Sequence, residues 1–520
     1  MKGTRSLEGR TFLVLFLILL IPIAVYGAGA TEAAEVEPLP VRLAAILWGN
    51  VPVDEELVQD AINERLKADG VNVSYHRNWI DFGGGTTWQQ KTNLMLSTGE
   101  EFELLSIIQD RWPVSMYVGQ GAAHPVGEYL DEYGPAVKEG IPEYLWEDVT
   151  INGEIYALPA YFAPLTSTVE RISIRKDLFD KHGVPIPKTT EELMRATEII
   201  YNAEPELRPR AGTKLGHDSS VFLHRGYDTY PFTVRDELLY IDQKGNVSAW
   251  VETDEFRKDA AFWRELYVKG LVHPDIISGG TELDGKSRNE ERIVFHHSVW
   301  HPTSIQGNDP EGEYITILLY PEKVKFNAFG FRNGLMVPIT TPHPEAAIQF
   351  LNWSYESQEN FDLLAYGIEG VHWKESDVPL TWSNPYAAGS KTSWELPVID
   401  KMTDPETGAA RYNHWVFLIG QLRWMRLSPS DHPSQLEEKD PAFTNIEDSV
   451  AMGFTFDSSS VSTEYSNLKT MITEHVWPIR FGVVDYDDAY SAALRNMKSA
   501  GLDRVVDEFQ KQLTAYLASK

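Results

Sequence analysis

Aromatic side chains set beside polar or turn residues are the part of this sequence best suited to chemistry. Trp48-Gly-Asn50, Arg111-Trp-Pro113, Ser298-Val-Trp-His301 and His372-Trp373 each place an indole next to a small, polar or turn residue rather than inside an apolar run. Indole faces stack on the apolar faces of sugar rings while polar neighbours bond the hydroxyls, as in an apolar pocket with a few placed polar groups. The same residues would serve as core packing, and local pattern does not separate the two. Beside 15 Trp, 23 Tyr and 22 Phe the chain has no cysteine, which removes disulfides, thiolate metal sites and cysteine nucleophiles. His296, His297 and His301 form a compact cluster, with His273 upstream. In a strand, His297 and His301 share a face while His296 faces away. They do not converge as a helical His-Glu-x-x-His pair does, so neither a metal nor another cofactor is expected. The 76 acidic residues could supply paired carboxylates. A glycoside hydrolase needs two held about 5 to 9 Å apart, and no local signature marks such a pair. The formal net charge of −30 repels phosphate backbones and anionic lipid heads, so nucleic acid is not an expected partner.

These residues need elements to hold them. A chain of 520 residues, 42% hydrophobic and 23% charged, is globular and long enough for two large domains or about three. Lys2, Arg5 and Arg10 make a basic head, Phe12 to Val25 is an apolar run of 14 residues, and Ala28-Gly29-Ala30 fits a cleavage site. A signal peptide over 1–30 is therefore expected; the run is short of the roughly 18 to 20 residues that span a bilayer. Val41 to Leu47 is nearly continuous apolar sequence, as in a buried strand. Asp54 follows as an N-cap, with Glu55 and Glu56 in the first turn of a helix. That helix is expected to bury Leu57, Val58, Ala61, Ile62 and Leu66 and to stop at Gly70. Val71, Val73 and Tyr75 alternate as a second strand, and a helix over 87–97 and a strand over 102–108 complete a βαβαβ run. A parallel sheet with right-handed crossovers follows. Ligands of such sheets collect beyond the carboxyl ends of the strands, where Trp48, Asn50, Asp110 and Trp112 lie.

Asn152-Gly153 between short apolar runs is a hairpin signal. Pro159 ends the run after it, because it has no N–H for a ladder. The ribbon from Val149 to Phe162 is expected to carry the chain from one lobe to a second, with Tyr161 at the crossing. Phe326 to Pro338 reads as a second crossing. Between them come a strand and helix over 171–180, a capping box at Thr189-Thr-Glu-Glu192, and an amphipathic helix over 254–269. An apolar strand over 293–300 ends in a polar lip that carries Trp300. Helices over 344–355 and 358–366 follow, then a mainly helical tail that ends in a helix over 502–518.

Several of these stretches together resemble the extracellular solute-binding proteins of ABC importers, in their large, sugar-type long form. They are Asn152-Gly-Glu-Ile-Tyr-Ala-Leu-Pro159; Ile174-Arg-Lys-Asp-Leu178 with Lys188-Thr-Thr-Glu-Glu-Leu193; Leu266-Tyr-Val-Lys-Gly-Leu271; and Phe350-Leu-Asn-Trp353 with Tyr366-Gly-Ile-Glu-Gly-Val-His-Trp373. The likeness covers most of 40–375 and the last helix, and it rests on the order and spacing of the motifs. It implies an α/β, two-lobe periplasmic-binding-protein type II fold, with hinge strands between lobes that close on a ligand. The expected division is a signal peptide at 1–30, the first lobe at 31–160 and again at 329–400, and the second lobe at 161–328. A mainly helical part, 401–520, is expected to pack on the second lobe and hinge. The implied function is capture of a carbohydrate, an oligosaccharide, for membrane permease subunits, by a monomer without catalytic activity. The first lobe would offer Trp48, Asn50, Asp110 and Trp112, the ribbon Tyr161, and the second lobe Trp300. Glu369 and Trp373 would come from the Gly-Ile-Glu-Gly-Val-His-Trp segment, although Glu369 could instead bond nearby backbone. Many relatives carry a lipidated cysteine after the signal; this chain has none, so a periplasmic location is expected. Two rivals stay open: a secreted carbohydrate-active hydrolase or lyase, and a peptide binder on the same fold.

Overall fold

In the computed structural model, strand β1 (Leu39–Leu47) lies between two parallel neighbours, and Leu43 to Leu47 are all buried. A strand paired on both edges and covered on both faces requires such an unbroken apolar run. β2 (Val73–Asp81) pairs with it from Leu39 opposite Val73 to Leu47 opposite Asp81. As the edge strand, β2 alternates buried Val73, Tyr75 and Arg77 with exposed His76 and Asn78. β3 (Leu104–Ile108), on the other side of β1, is wholly buried. β14 (Asn333–Met336) and β6 (Ala157–Pro159) complete the sheet in the order β2-β1-β3-β14-β6. β14 is antiparallel to both its neighbours, so β6 runs in the direction of β1 to β3. The two expected crossing ribbons are therefore partners in one sheet.

The structure describes residues 37–47, 50–82, 86–109, 112–161, 171–207, 232–235, 237–271, 274, 276–277, 295–298, 312–322, 324–327, 331, 333–383, 393–396, 398–406, 408, 410–412, 419–426, 446–452, 454 and 456–519. The expected signal peptide lies outside them. Residues 38–520 form one compact unit.

The Glu55–Ala68 helix buries Val58, Ile62 and Leu66 completely, but Leu57, expected among them, is 46% exposed. The inward stripe instead begins with Glu55 and Gln59, because β2 turns Arg77 toward it. Gln59 Oε1 accepts the Arg77 N–H at 2.8 Å, and Arg77 pairs with Glu55 at 3.4 Å. Burial pushes the Glu55 carboxyl above the usual range, against the pull of Arg77. The same core takes the Pro344–Glu356 and Gln358–Tyr366 helices and then Ile399, Tyr412 and Ile419. The return to the first lobe thus continues past residue 400. Among the described residues helix dominates only from Ser459 onward, because 398–426 lies over the first lobe as short strands and turns.

In the second lobe, β7 (Arg171–Arg175) is flanked by β11 (Phe295–Ser298) and β12 (Tyr314–Ile317), both antiparallel to it. A second sheet is built from β8 (Phe232–Arg235), β9 (Leu239–Asp242) and β10 (Val247–Ala249). Thr189 caps the Thr190–Ala203 helix by accepting the Glu192 N–H at 3.1 Å; the Glu192 carboxylate reaches back to the Lys188 N–H at 2.7 Å. The hairpin of β4 (Thr150–Ile151) and β5 (Glu154–Ile155) turns through Asn152 at φ 54° and Gly153 at φ 85°. Two positive φ values are what a two-residue turn matched to strand twist requires. Smaller pairs join β13 (Lys325–Asn327) to β19 (Ile446–Asp448), β15 (Trp373–Glu375) to β18 (Ile399–Lys401), and β16 (Leu380–Ser383) to β17 (Ser393–Leu396).

Candidate functional site

Because β6 runs with β1, β2 and β3, four chain exits fall on one edge of the sheet: Leu47, Asp81, Ile108 and Pro159. The start of β14 joins them, with Asn333 opposite Ile108 and its carbonyl accepting the Ala160 N–H at 2.9 Å. Asn50, three residues past β1, is exposed there. Phe82 follows β2, and its N–H donates to the Leu47 carbonyl at 2.9 Å. Its half-buried ring meets Trp112 edge-on, with centroids 6.2 Å apart and planes at 60°. Trp112 is 7% exposed, and its N–H closes a turn on the Ile108 carbonyl at 2.7 Å. Tyr161 is half-buried beside the first core and bridges by backbone to the buried Gln421.

Asn50, Trp112 and Tyr161 are thus brought to one edge, but Trp112 is packed rather than presented. It buttresses Phe82, a ring the sequence reading passed over because it stands at the end of an alternating strand. Trp373 is corrected in the same way. It is 3% exposed, its indole N–H donates to the Gly367 carbonyl at 3.0 Å, and the Arg426 guanidinium lies 4.7 Å over the ring. A ring held on its edge and its face in this way belongs to the core. Glu369 is exposed; its backbone bridges to Trp373 in the tight turn that Gly370 makes at φ 77°. Trp48, Asp110 and Trp300 lie outside the described residues.

The 367–373 turn is tied to this edge by a contact no motif announced. Asp54, at the start of the helix after β1, faces His372 Nε2 at 3.4 Å and pairs with Arg411, whose carbonyl accepts the Asp54 N–H at 3.1 Å. Nδ1 of His372 accepts the Ile368 N–H at 2.8 Å, which leaves the proton of the neutral ring on Nε2, toward Asp54. Burial lowers the His372 pKa, and Asp54 opposes that only in part. Next along the chain, Tyr412 is buried 5.7 Å from the guanidinium of Arg77, which also lies 5.0 Å from the Trp79 ring. Arg411 and Tyr412 together hold the returning chain against the first lobe.

Among the described residues, no group of three His, Cys, Asp or Glu side chains converges as a metal site would require. No described helix is long and apolar enough to cross a membrane. A groove of about 740 Å³ lies in the second lobe, lined by Ser462, Tyr465, Ser466, Lys469, Thr470 and Thr473 among others. It shares no residue with the sheet edge, and most of its lining is exposed helix surface, so the edge is the better candidate.

In sequence and in fold the chain is similar to known proteins. Residues 53–282 match the model of the bacterial extracellular solute-binding protein family, and residues 450–518 match a domain of unknown function. By the match over residues 53–282 and by fold, the chain is similar to extracellular solute-binding proteins. It is 22% identical over 481 residues to a carbohydrate ABC transporter substrate-binding protein of Streptococcus pneumoniae serotype 4, covering 90% of this chain and 89% of that one. It is 24% identical over 303 residues to the fructooligosaccharide ABC transporter substrate-binding protein FusA of the same organism, covering 53% and 54%. The crystal structure of the N-glycan transport solute binding protein NgtS from S. pneumoniae superposes with a TM-score of 0.71 at 17% identity, over 92% of this chain and 99% of that one. Solute-binding proteins of this fold have two α/β lobes, as here.

Proposed function

We propose that the protein is the substrate-binding component of an ABC importer, that it captures an oligosaccharide between its lobes, and that it delivers the ligand to permease subunits in the membrane. One observation carries the site. The carboxyl ends of four strands lie along one edge of the sheet, which carries the half-buried ring of Phe82 after β2, the exposed Asn50 after β1 and, at the far end, the half-buried ring of Tyr161 after β6. Aromatic faces and a planar amide suit the alternating apolar and hydroxyl surfaces of sugar rings. Trp48, Asp110 and Trp300, by their places in the sequence, would add two indoles and a carboxylate to the same cleft. The carbohydrate substrates named for the relatives support sugar as the ligand class. The segments around β6 and β13–β14 would act as hinge strands. Ligand bridging both lobes would favour the closed state, since only that state makes both sets of contacts. The protein would act in the periplasm as a monomer, without catalysis.

The test is intrinsic Trp fluorescence and thermal shift against mono- and oligosaccharides, with peptides as controls and products followed by chromatography. Saturable shifts with oligosaccharide and intact sugar afterwards are expected. Shifts with peptides alone would make the ligand class wrong, and steady release of shorter sugars would make the protein an enzyme.

A further inference from the structure

The segment 450–518, matched to a domain of unknown function, shares its core with the solute-binding match. Leu468, Phe509 and Leu513 from this segment and Leu239, Ile241 and Trp250 from the solute-binding match lie in one buried cluster. Polar contacts cross the same boundary. The Gln510 amide accepts the Val247 N–H at 2.7 Å and donates to the Gly245 carbonyl at 2.9 Å, holding the β9–β10 turn where it enters β10. Arg264 donates to the Gly482 carbonyl at 2.8 Å. Gly482, at φ 69°, lies so close to the Asp254–Val268 helix that a Cβ there would stand 2.4 Å from the Arg264 Cα. Only glycine allows backbone to meet backbone in this way.

At the centre of the boundary is a group of fully buried charges. Arg480 pairs with Glu237, and its Nε lies 3.8 Å from Asp259 Oδ2; the side chains are 2% exposed or less. Trp477 adds its indole N–H to the Glu237 carboxylate at 3.1 Å. The cation comes from 450–518 and both carboxylates from the solute-binding match, so opposite charges from the two segments meet in one dry interior, where removing one partner of a buried pair is costly. Trp477 also leans on two cores, the one just described and the one under β7, and Phe481 belongs to the second.

We infer that residues 450–518 are an integral part of the second lobe rather than an appended domain, and that their function is to complete its core and bring Arg480 to its buried carboxylates. The inference does not depend on which ligand is bound.

Native-state hydrogen exchange of the full-length protein in rising denaturant tests this. The amides of 239–242 and of 502–513 are expected to lose protection at the same denaturant concentration and with the same dependence, as one opening unit. If 502–513 opened at a lower concentration while 239–242 stayed protected, the segment would be an appended module and the inference would fail. Arg480→Met in the full chain gives a second reading. At least a tenfold loss of protection is expected in both regions together, with β1 and β3 of the first lobe unchanged. Loss confined to 450–518 would overturn the inference.

Discussion

The indole N–H of Trp373 donates to the carbonyl of Gly367 at 3.0 Å, across the turn that also carries Glu369. This bond makes Trp373 the pin of a loop, not a wall of a cleft. Replacing Trp373 with Ala removes a large buried ring and is expected to cost about 3 to 5 kcal/mol of stability. Trp373→Phe keeps a ring in place but leaves the Gly367 carbonyl without that donor, and should cost roughly 1 to 3 kcal/mol. Denaturant titration gives both values. Ligand affinity of the folded fraction should stay as in the wild type; a tenfold loss with wild-type stability would return Trp373 to the cleft.

Phe82 and Trp112 should separate in the opposite sense, although their rings touch. Phe82 is half-buried at the sheet edge, and Trp112 behind it is buried. Phe82→Ala is expected to weaken oligosaccharide binding by roughly tenfold, about 1.4 kcal/mol, with a small change in the unfolding midpoint. Trp112→Ala should cost about 3 to 5 kcal/mol of stability. Calorimetric titration alongside thermal melts distinguishes the two. Equal stability losses with no affinity change for either would remove this pair from the binding site.

These two pairs show where the sequence was legible. The βαβαβ run could be read because its signals are local: an unbroken apolar run at Val41 to Leu47, an acidic first turn at Glu55 and Glu56, and alternation from Val73. Carboxyl-end placement of Asn50 and Trp112 followed from topology alone. Whether an indole stacks on a ligand or on its own protein depends on what covers it, and those groups are remote in sequence. Arg426 over Trp373 and Gln421 beside Tyr161 come from the returning chain. Arg411-Tyr412 has no periodicity to mark it as part of the first lobe, because a short segment laid across a finished core needs only one or two anchors. Leu57 was misplaced for a related reason. Buried Arg77 on β2 draws Glu55 and Gln59 inward, and a hydrophobic stripe cannot register a polar pair.

His372 gives the fold a pH dependence with a definite sign. Its side chain is fully buried, and burial holds its pKa below the ordinary histidine value despite Asp54. The unfolded chain takes up this proton near pH 6.5, whereas the folded ring stays neutral, with Nδ1 engaged as an acceptor. The unfolded state therefore binds more protons below that pH, and stability falls as pH drops from about 6.5 toward the lowered folded value. His372→Asn removes the titration. Between pH 6.5 and 5, the wild type should lose stability more steeply than the variant, by at most about 1.4 kcal/mol per pH unit. Parallel curves for the two proteins would show that His372 does not titrate across unfolding.

Gly334 sits where the two crossing ribbons meet. It lies in β14 opposite Pro159 of β6, and a Cβ added there would stand 2.6 Å from the Leu158 carbonyl oxygen. The obstacle is backbone, so relief requires β6 to move away from β14 rather than a side chain to turn. Gly334→Ala is expected to cost about 1 to 3 kcal/mol. Since β6 delivers Tyr161 to the sheet edge, affinity should fall as well. Gly153→Ala is the control: its Cβ meets nothing within 4 Å, but its φ of 85° is strained for any side chain. It should cost about 1 to 2 kcal/mol and leave affinity unchanged, because the hairpin turn is not part of the edge. If Gly334→Ala lowered stability alone, as Gly153→Ala should, the junction of β6 and β14 would support the first lobe without positioning Tyr161 for ligand.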